Sequence, residues 1–271
     1  MPELPEVETV KLSLKKELVK QKVCKTEIRN RNLRWPVEDD LPQKINNSVV
    51  LDIIRKGKVL CLKLTDGFLM FHLGMTGKIL IKDHSYLPVK HDHVIITLTD
   101  FKLVYNDARR FGYVEWSKSA DRTYHRFTHK GPDPFDADFT LTYLQSQLNK
   151  SRVEIKSSLM NDKILTGIGN IYANELLFRA KIHPQKRSCQ LSTNEMMRLF
   201  DNIRPLLEES ILLGGSTLKD YVDSYGKRGT FQEKHQVYNH EGDPCAICNH
   251  PIERIIIAGR STFFCPVCQK N

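Results

Sequence analysis

Cys245-Ala246-Ile247-Cys248 and, sixteen residues further on, Cys265-Pro266-Val267-Cys268 make two Cys-x2-Cys pairs near the end of the chain. Thiolates at this spacing close a tetrahedral zinc site, and four of them leave no position open for water or substrate. The spacing predicts one structural zinc, held by Cys245, Cys248, Cys265 and Cys268, in a compact tail that starts near Gln236. Disulfides are the competing use of four cysteines, but they belong to oxidising compartments. The expectation here is a cytoplasmic protein: charges begin at Glu3 and nothing resembles a secretory signal. Between the pairs, Ile255-Ile256-Ile257 reads as strand and Ala258-Gly259-Arg260-Ser261-Thr262 as a hairpin turn. Arg260 at that tip would reach a groove or a phosphate. Cys24, Cys61 and Cys189 stand apart from the cluster and are expected to be packing residues.

Upstream of the tail, Leu165-Thr166-Gly167-Ile168-Gly169-Asn170-Ile171-Tyr172 reads as helix, glycine turn, helix. Backbone N–H groups at the second helix start can hold a phosphate. Asn170, with Arg152 and Lys156 upstream, strengthens that reading. A longer helix opens at Ser192-Thr193-Asn194-Glu195, a capping box, and ends at Gly214-Gly215. The stretch from Ser216 to Glu233 is polar and contains glycine, hence is expected to be a mobile loop.

From Val49 to about Trp116 the pattern is short apolar strands separated by turns, with Asp66-Gly67 and Thr99-Asp100 as hairpin signals. Such a run predicts a sandwich of antiparallel sheets. Before it, Val7, Val10, Leu14 and Leu18 fall on one helical stripe, with Lys11, Lys15 and Lys16 off it. The predicted fold class is α+β: an antiparallel β-sandwich with flanking helices over residues 1–130, a helical domain over 131–233, and a zinc finger over 234–271.

The balance of charge narrows the partners. Forty-one Lys and Arg face 32 Asp and Glu in 271 residues, a net charge of +9 that suits a polyanion. No apolar run approaches the roughly 20 residues of a membrane span.

The chain opens Met1-Pro2-Glu3-Leu4-Pro5-Glu6. Once Met1 is trimmed, Pro2 offers a secondary amine; α-amines titrate near ~7.7–8.0, so a useful fraction is nucleophilic at neutral pH. Condensed with a sugar aldehyde carbon, that amine gives an iminium, an electron sink with no N–H to lose. Glu3 stands beside it, placed to move protons. A rigid helix entry is the plainer reading of the same residues. Four further groups carry chemistry. Lys58 follows Gly57 at a strand start. Met75 lies between Gly74 and Gly77, as core or as an exposed wedge. His91-Asp92-His93 sets two imidazoles on one strand face. Asp107-Ala108-Arg109-Arg110-Phe111-Gly112 joins guanidiniums to an aromatic, a combination suited to a base stack.

These stretches resemble the bacterial formamidopyrimidine-DNA glycosylase family, which excises oxidised purines such as 8-oxoguanine. The resemblance runs from Pro2 to the last cysteine and includes the helix-two-turn-helix through Ala173-Asn174-Glu175; Ala108 departs from the family's usual proline. It implies damaged double-stranded DNA as partner, a monomer without nucleotide cofactor, and a base flipped out of the duplex. It further implies Pro2 as nucleophile at the sugar C1′, Glu3 as proton donor to the ring oxygen, and strand cleavage by β- and then δ-elimination. Lys58 and Arg260 would aid proton transfer or hold phosphate, Met75 would fill the gap left by the base, and His91 would touch the DNA backbone. Two rivals remain. One is the related endonuclease VIII for oxidised pyrimidines, which usually carries glycine where Leu4 stands. The other is a DNA-binding protein without catalysis, which would need neither Pro2-Glu3 nor Lys58.

Overall fold

The computed structural model describes residues 2–119, 130–218 and 220–270. Met1, on whose removal the amine chemistry depends, and Lys219 of the 216–233 stretch lie outside the described residues. The chain divides into two compact units, Met1–Thr128 with Leu213–Gln232, and His129–Leu212 with Glu233–Asn271. The class is the expected α+β with antiparallel sheets. Among the described residues no helix is long and apolar enough to cross a membrane.

In the first unit, helix α1 (Leu4–Leu18) starts with proline in its first turn and buries Leu4, Val7, Val10, Leu14 and Leu18. That i, i+3, i+4 spacing makes one apolar stripe. Glu6 Oε2 accepts from the Glu3 backbone N–H at 2.8 Å, closing the start of the helix. After β1 (Val23–Ile28) and α2 (Leu41–Ile45) come β2 (Val50–Lys56), β3 (Val59–Leu64), β4 (Gly67–His72), β5 (Lys78–Lys82), β6 (Asp92–Leu98), β7 (Lys102–Asn106) and β8 (Tyr113–Ser117). They form two four-stranded sheets, β1-β6-β7-β5 and β2-β3-β4-β8. Leu60, Leu62 and Phe71 from one sheet meet Val94, Ile96, Leu103 and Tyr105 from the other in a single core, which also takes the stripe of α1.

Strand β1 escapes the sequence reading, which begins its strands at Val49. It is an edge strand with a bulge near Val23, and Cys24, Lys25 and Glu27 point outward, so alternation is faint. The hairpin assigned to Asp66-Gly67 turns one residue earlier, because Gly67 already pairs with Leu64. Cys61 is a packing residue, and burial pushes its thiol up to about 12. Cys24 and Cys189 are exposed, which corrects their expected packing role.

The stretch from Ser216 to Glu233, expected as a mobile loop, is held at several points. Ser216 N–H donates to Glu6 Oε1 at 2.7 Å and the Tyr221 hydroxyl to the Glu6 carbonyl at 3.2 Å. Farther along, Ile81 N–H reaches the Ser224 carbonyl at 2.9 Å and the Tyr225 hydroxyl reaches Glu17 at 2.7 Å.

The second unit holds α3 (Leu141–Lys150), α4 (Ile155–Leu159), α5 (Asn170–Arg179), α6 (Thr193–Leu212) and the hairpin β9 (Glu253–Ile257) to β10 (Arg260–Phe264). Thr140 caps α3, accepting from Tyr143 N–H at 3.1 Å. The predicted box at α6 forms: Ser192 N–H donates to Glu195 at 2.8 Å and Glu195 N–H to Ser192 Oγ at 3.3 Å. The β9–β10 turn is only Ala258-Gly259, with φ of 47° and 73°, and Ile257 pairs directly with Arg260. Arg260 therefore opens a strand instead of sitting at the tip.

Glu175, on α5, is fully buried and accepts from Gln236, Val237 and Tyr238 N–H groups at 2.9, 3.1 and 2.8 Å. Replacing it with glutamine leaves one acceptor oxygen for three donors. Since an unsatisfied buried donor costs about 1–3 kcal/mol, Glu175→Gln should lower unfolding stability by roughly 2 kcal/mol in urea denaturation. A variant as stable as the parent would contradict this account of the Gln236–Tyr238 segment.

Candidate functional site

Pro2 and Glu3 are both buried at the head of α1, where unsatisfied helix N–H groups make the surroundings electropositive. Lys58 is half-buried in the two-residue turn between β2 and β3. Arg55 fixes that turn: its Nη1 donates to the Gly57 carbonyl at 2.9 Å, and its Nε to Glu8 of α1 at 2.6 Å. One guanidinium thus ties the lysine's turn to α1. Burial pushes the Glu8 carboxyl up, but hydrogen bonds and charge from Lys11 and Arg55 outweigh it and hold the group below its ordinary value. The ion pair persists at neutral pH. Neither Arg55 nor Glu8 stands out in the sequence, because a charged residue on a strand and another on a helix carry no sign of pairing.

Neither Met75 nor Phe111 is a core residue. Their exposures of 40% and 47% place both in solvent. The Arg109 guanidinium lies 4.6 Å from the centre of the Phe111 ring, a cation–π contact that presents both together. Their loops meet backbone to backbone. A Cβ added at Gly74, whose φ is +57°, would stand 2.5 Å from Gly112 N, and one at Gly112 would collide with Tyr105 and His72. Asp107, which sequence reasoning treats only as the start of the arginine motif, is completely buried beneath both loops.

His91 lies outside strand β6, although its ring stays beside that of His93, with centroids 6.4 Å apart. His91 has φ of 73° and precedes β6, whereas His93 is 3% exposed with Nε2 2.7 Å from the Asp107 carbonyl. The left-handed residue is His91 itself, at the entry to β6, and it is half-buried.

In the second unit two predicted residues converge on one carbonyl. Lys156 Nζ donates to the Ser261 carbonyl at 2.8 Å and to Thr262 Oγ1 at 2.7 Å, and Asn170 Nδ2 donates to the same Ser261 carbonyl at 3.1 Å. Arg260, exposed, is the residue immediately before. Lys156 is 1% exposed, so it is a buried strut and not the surface cation that its charge suggests. Residues 165–169 are bend and irregular backbone, not the expected helix, since the preceding helix ends at Leu159; the start of α5 that follows them is thereby fastened to the finger hairpin, with Asn174 Oδ1 adding a bond from Phe263 N–H at 2.7 Å. Arg152 stands exposed ahead of α4 and outside that cluster.

The four cysteine sulfurs of the tail lie within 4.8 Å of one another, with Cys245–Cys268 at 3.9 Å and Cys248–Cys265 at 3.4 Å. A tetrahedron with Zn–S bonds near ~2.3 Å has edges of about 3.8 Å, so the donor set fits one structural zinc. Outside the ligands, Gln269 accepts from Cys265 N–H at 2.9 Å and donates to the Ile182 carbonyl at 2.9 Å, holding the second knuckle against the helical part.

Comparison with known proteins agrees along the whole length. Three family descriptions match in succession: the formamidopyrimidine-DNA glycosylase N-terminal domain over residues 1–114, its H2TH domain over 130–222, and a zinc finger found in FPG and IleRS over 242–271. A formamidopyrimidine-DNA glycosylase of Salmonella choleraesuis is 42% identical over 271 residues, covering 100% of both chains. Two Lactococcus lactis structures resemble this one at 36% identity. One is a mutant in complex with Fapy-dG containing DNA (TM-score 0.93, 100% of each chain). The other is a complex with abasic site containing DNA (TM-score 0.92, 99% of this chain and 100% of that one). By sequence and by structure, this chain belongs to the formamidopyrimidine-DNA glycosylase family.

Proposed function

We propose that the chain excises oxidised purines, 8-oxoguanine and formamidopyrimidines, from duplex DNA and then cleaves the strand as an abasic-site lyase. The observation that carries this is Pro2-Glu3 as the buried cap of α1, in a chain matched end to end by proteins bound to lesion-containing DNA. The damaged nucleotide is flipped out, at a cost of a few kcal/mol of stacking and pairing that a lesion reduces. Pro2, freed of Met1, attacks C1′ while Glu3 protonates the ring oxygen, and the base departs. The C1′–N bond to Pro2 becomes an iminium, whose electron pull acidifies C2′. β-Elimination then expels the 3′ phosphate and δ-elimination the 5′ phosphate, with Lys58 and Arg260 moving protons or holding phosphate. Met75 and Phe111 fill the emptied stack, Arg109 reads the orphaned base, His91, Arg152 and Asn170 bind backbone, and buried Lys156 positions the hairpin that carries Arg260. Zinc supplies the covalent tie that keeps the finger folded.

The division of labour follows: residues 1–130 carry the catalysis, 131–233 the helical contacts, and 234–271 the finger. We place the enzyme as a monomer in the bacterial cytoplasm, where thiolates stay reduced for zinc. The pyrimidine-specific alternative is separated by comparing nicking of duplexes with 8-oxoguanine, dihydrouracil or no lesion.

Borohydride added during turnover should leave the protein covalently joined to lesion DNA. Trapping that survives Pro2→Gly unchanged and maps to Lys58 would place the nucleophile elsewhere.

Metal should act through folding. Cys248→Ser should lose zinc and weaken DNA binding, whereas Arg260→Ala should keep zinc and folding but lose affinity and cleavage. Active protein that a metal assay finds free of zinc would end this reading.

Arg109 should set the choice of opposite base. A guanidinium only donates, and cytosine offers O2 and N3 as acceptors, whereas adenine turns an N6 amino donor toward it. A good paired contact is worth roughly 1–3 kcal/mol, so excision should be faster opposite cytosine than adenine by about tenfold or more. Arg109→Ala should lose both rate and preference in single-turnover assays; equal rates in the parent would refute the assignment.

A further inference from the structure

Two oxygens of one buried carboxylate serve both loops that present Met75 and Phe111. Asp107 Oδ1 accepts from the Thr76 hydroxyl at 2.6 Å and from Arg109 N–H at 3.3 Å. Its Oδ2 accepts from Gly112 N–H at 2.9 Å. Thr76 Oγ1 in turn accepts from the same Arg109 N–H at 3.1 Å, closing a ring of bonds across the two loops. The Asp107 backbone is held as well, its N–H on the His91 carbonyl at 3.1 Å and its carbonyl by His93 Nε2 at 2.7 Å. With Gly74 and Gly112 in backbone contact, neither loop has room to shift alone.

We infer that Asp107 and Thr76 are positioning residues that join the Met75 loop and the Arg109–Phe111 loop into one rigid wedge, so that plugging the stack and reading the orphaned base depend on each other. The inference rests on the roles given above to Met75, Arg109 and Phe111. Three features of the geometry require a fastening of this kind. Met75 sits with Thr76 on a turn between Gly74 and Gly77, an arrangement with little stiffness of its own. Arg110 has φ of 55°, so the segment carrying the guanidinium is bent into the left-handed region and needs outside support. Donors must also be fixed to within a fraction of an ångström to discriminate bases. Thr76 supplies the only side-chain link that reaches from one loop to both Asp107 and the Arg109 backbone among the described residues.

The two roles of Thr76 separate cleanly by substitution. Thr76→Val keeps its shape and removes the hydroxyl; Thr76→Ser keeps the hydroxyl and removes the methyl. The readout is the ratio of single-turnover excision rates opposite cytosine and opposite adenine, which is independent of the fraction of protein folded. Thermal unfolding is followed alongside. Thr76→Val should lower the ratio by about threefold to tenfold, the worth of a lost hydrogen bond, with little change in melting temperature. Thr76→Ser should retain the parent ratio. Because the residues act as one unit, Thr76→Val added to Arg109→Ala should lower the ratio no further than Arg109→Ala alone. A Thr76→Val enzyme that keeps the full ratio while Arg109→Ala loses it overturns the inference and leaves the role of Arg109 standing. A full ratio in both variants removes the role of Arg109 and the inference with it. Additive losses in the double variant also overturn it, since independent loops would then be reading the base separately.

Discussion

A buried carboxylate that accepts several hydrogen bonds from irregular backbone recurs three times, and each instance fixes a part of the fold that would otherwise be loop. Glu6 joins the start of α1 to Ser216, 210 residues away. Asp107 joins the turn after β4 to the turn before β8. Glu175 gathers three consecutive N–H groups at the entry to the finger. Bonds to a charged acceptor are worth about 1.5–3 kcal/mol each, more than neutral ones. A carboxylate can take several donors because it has two oxygens and no proton of its own. The device therefore orders irregular backbone where no ladder of strand or helix is available.

Its distribution follows the residues proposed for the chemistry. Glu6 lies three residues from Glu3, Asp107 two from Arg109, and the segment held by Glu175 leads to the first zinc ligand. Regular structure supplies the rest. The core shared by α1 and the two sheets gives the N-terminal cap a rigid base, and the strut from Lys156 to Ser261 does the same for Arg260. Of the residues proposed for the site, Pro2, Lys58, Met75, Arg109 and Phe111 thus sit on irregular backbone that is nonetheless pinned, which reconciles access for a large ligand with fixed geometry.

Local rules made much of this visible in the sequence. The apolar stripe of α1, the Ser192–Glu195 box and the zinc spacing each depend on residues within a few positions of one another. What stayed hidden depends on long-range partners. Strand β1 exists because β6 is there to pair with it, despite three outward polar residues. Lys156 looks like a surface cation until Ser261 and Thr262, more than a hundred residues on, are folded against it. His91 and His93 alternate as strand residues do, but a positive φ at His91 places the strand start one residue later. Asp107 and Arg55 were legible as charged residues and illegible as fasteners, since their acceptors or donors belong to other elements.

The cysteines outside the metal cluster have a practical meaning. Cys24 belongs to the first unit and Cys189 to the second, and both thiols face solvent, whereas Cys61 is sealed in the sheet with its thiolate suppressed by burial. Alkylating dyes require an accessible thiolate, and the four clustered sulfurs are occupied when zinc is bound. The natural sequence therefore carries one addressable handle on each half, with no substitution needed. A donor and acceptor pair placed there would report the separation of the two units in solution, molecule by molecule, as DNA is engaged and released.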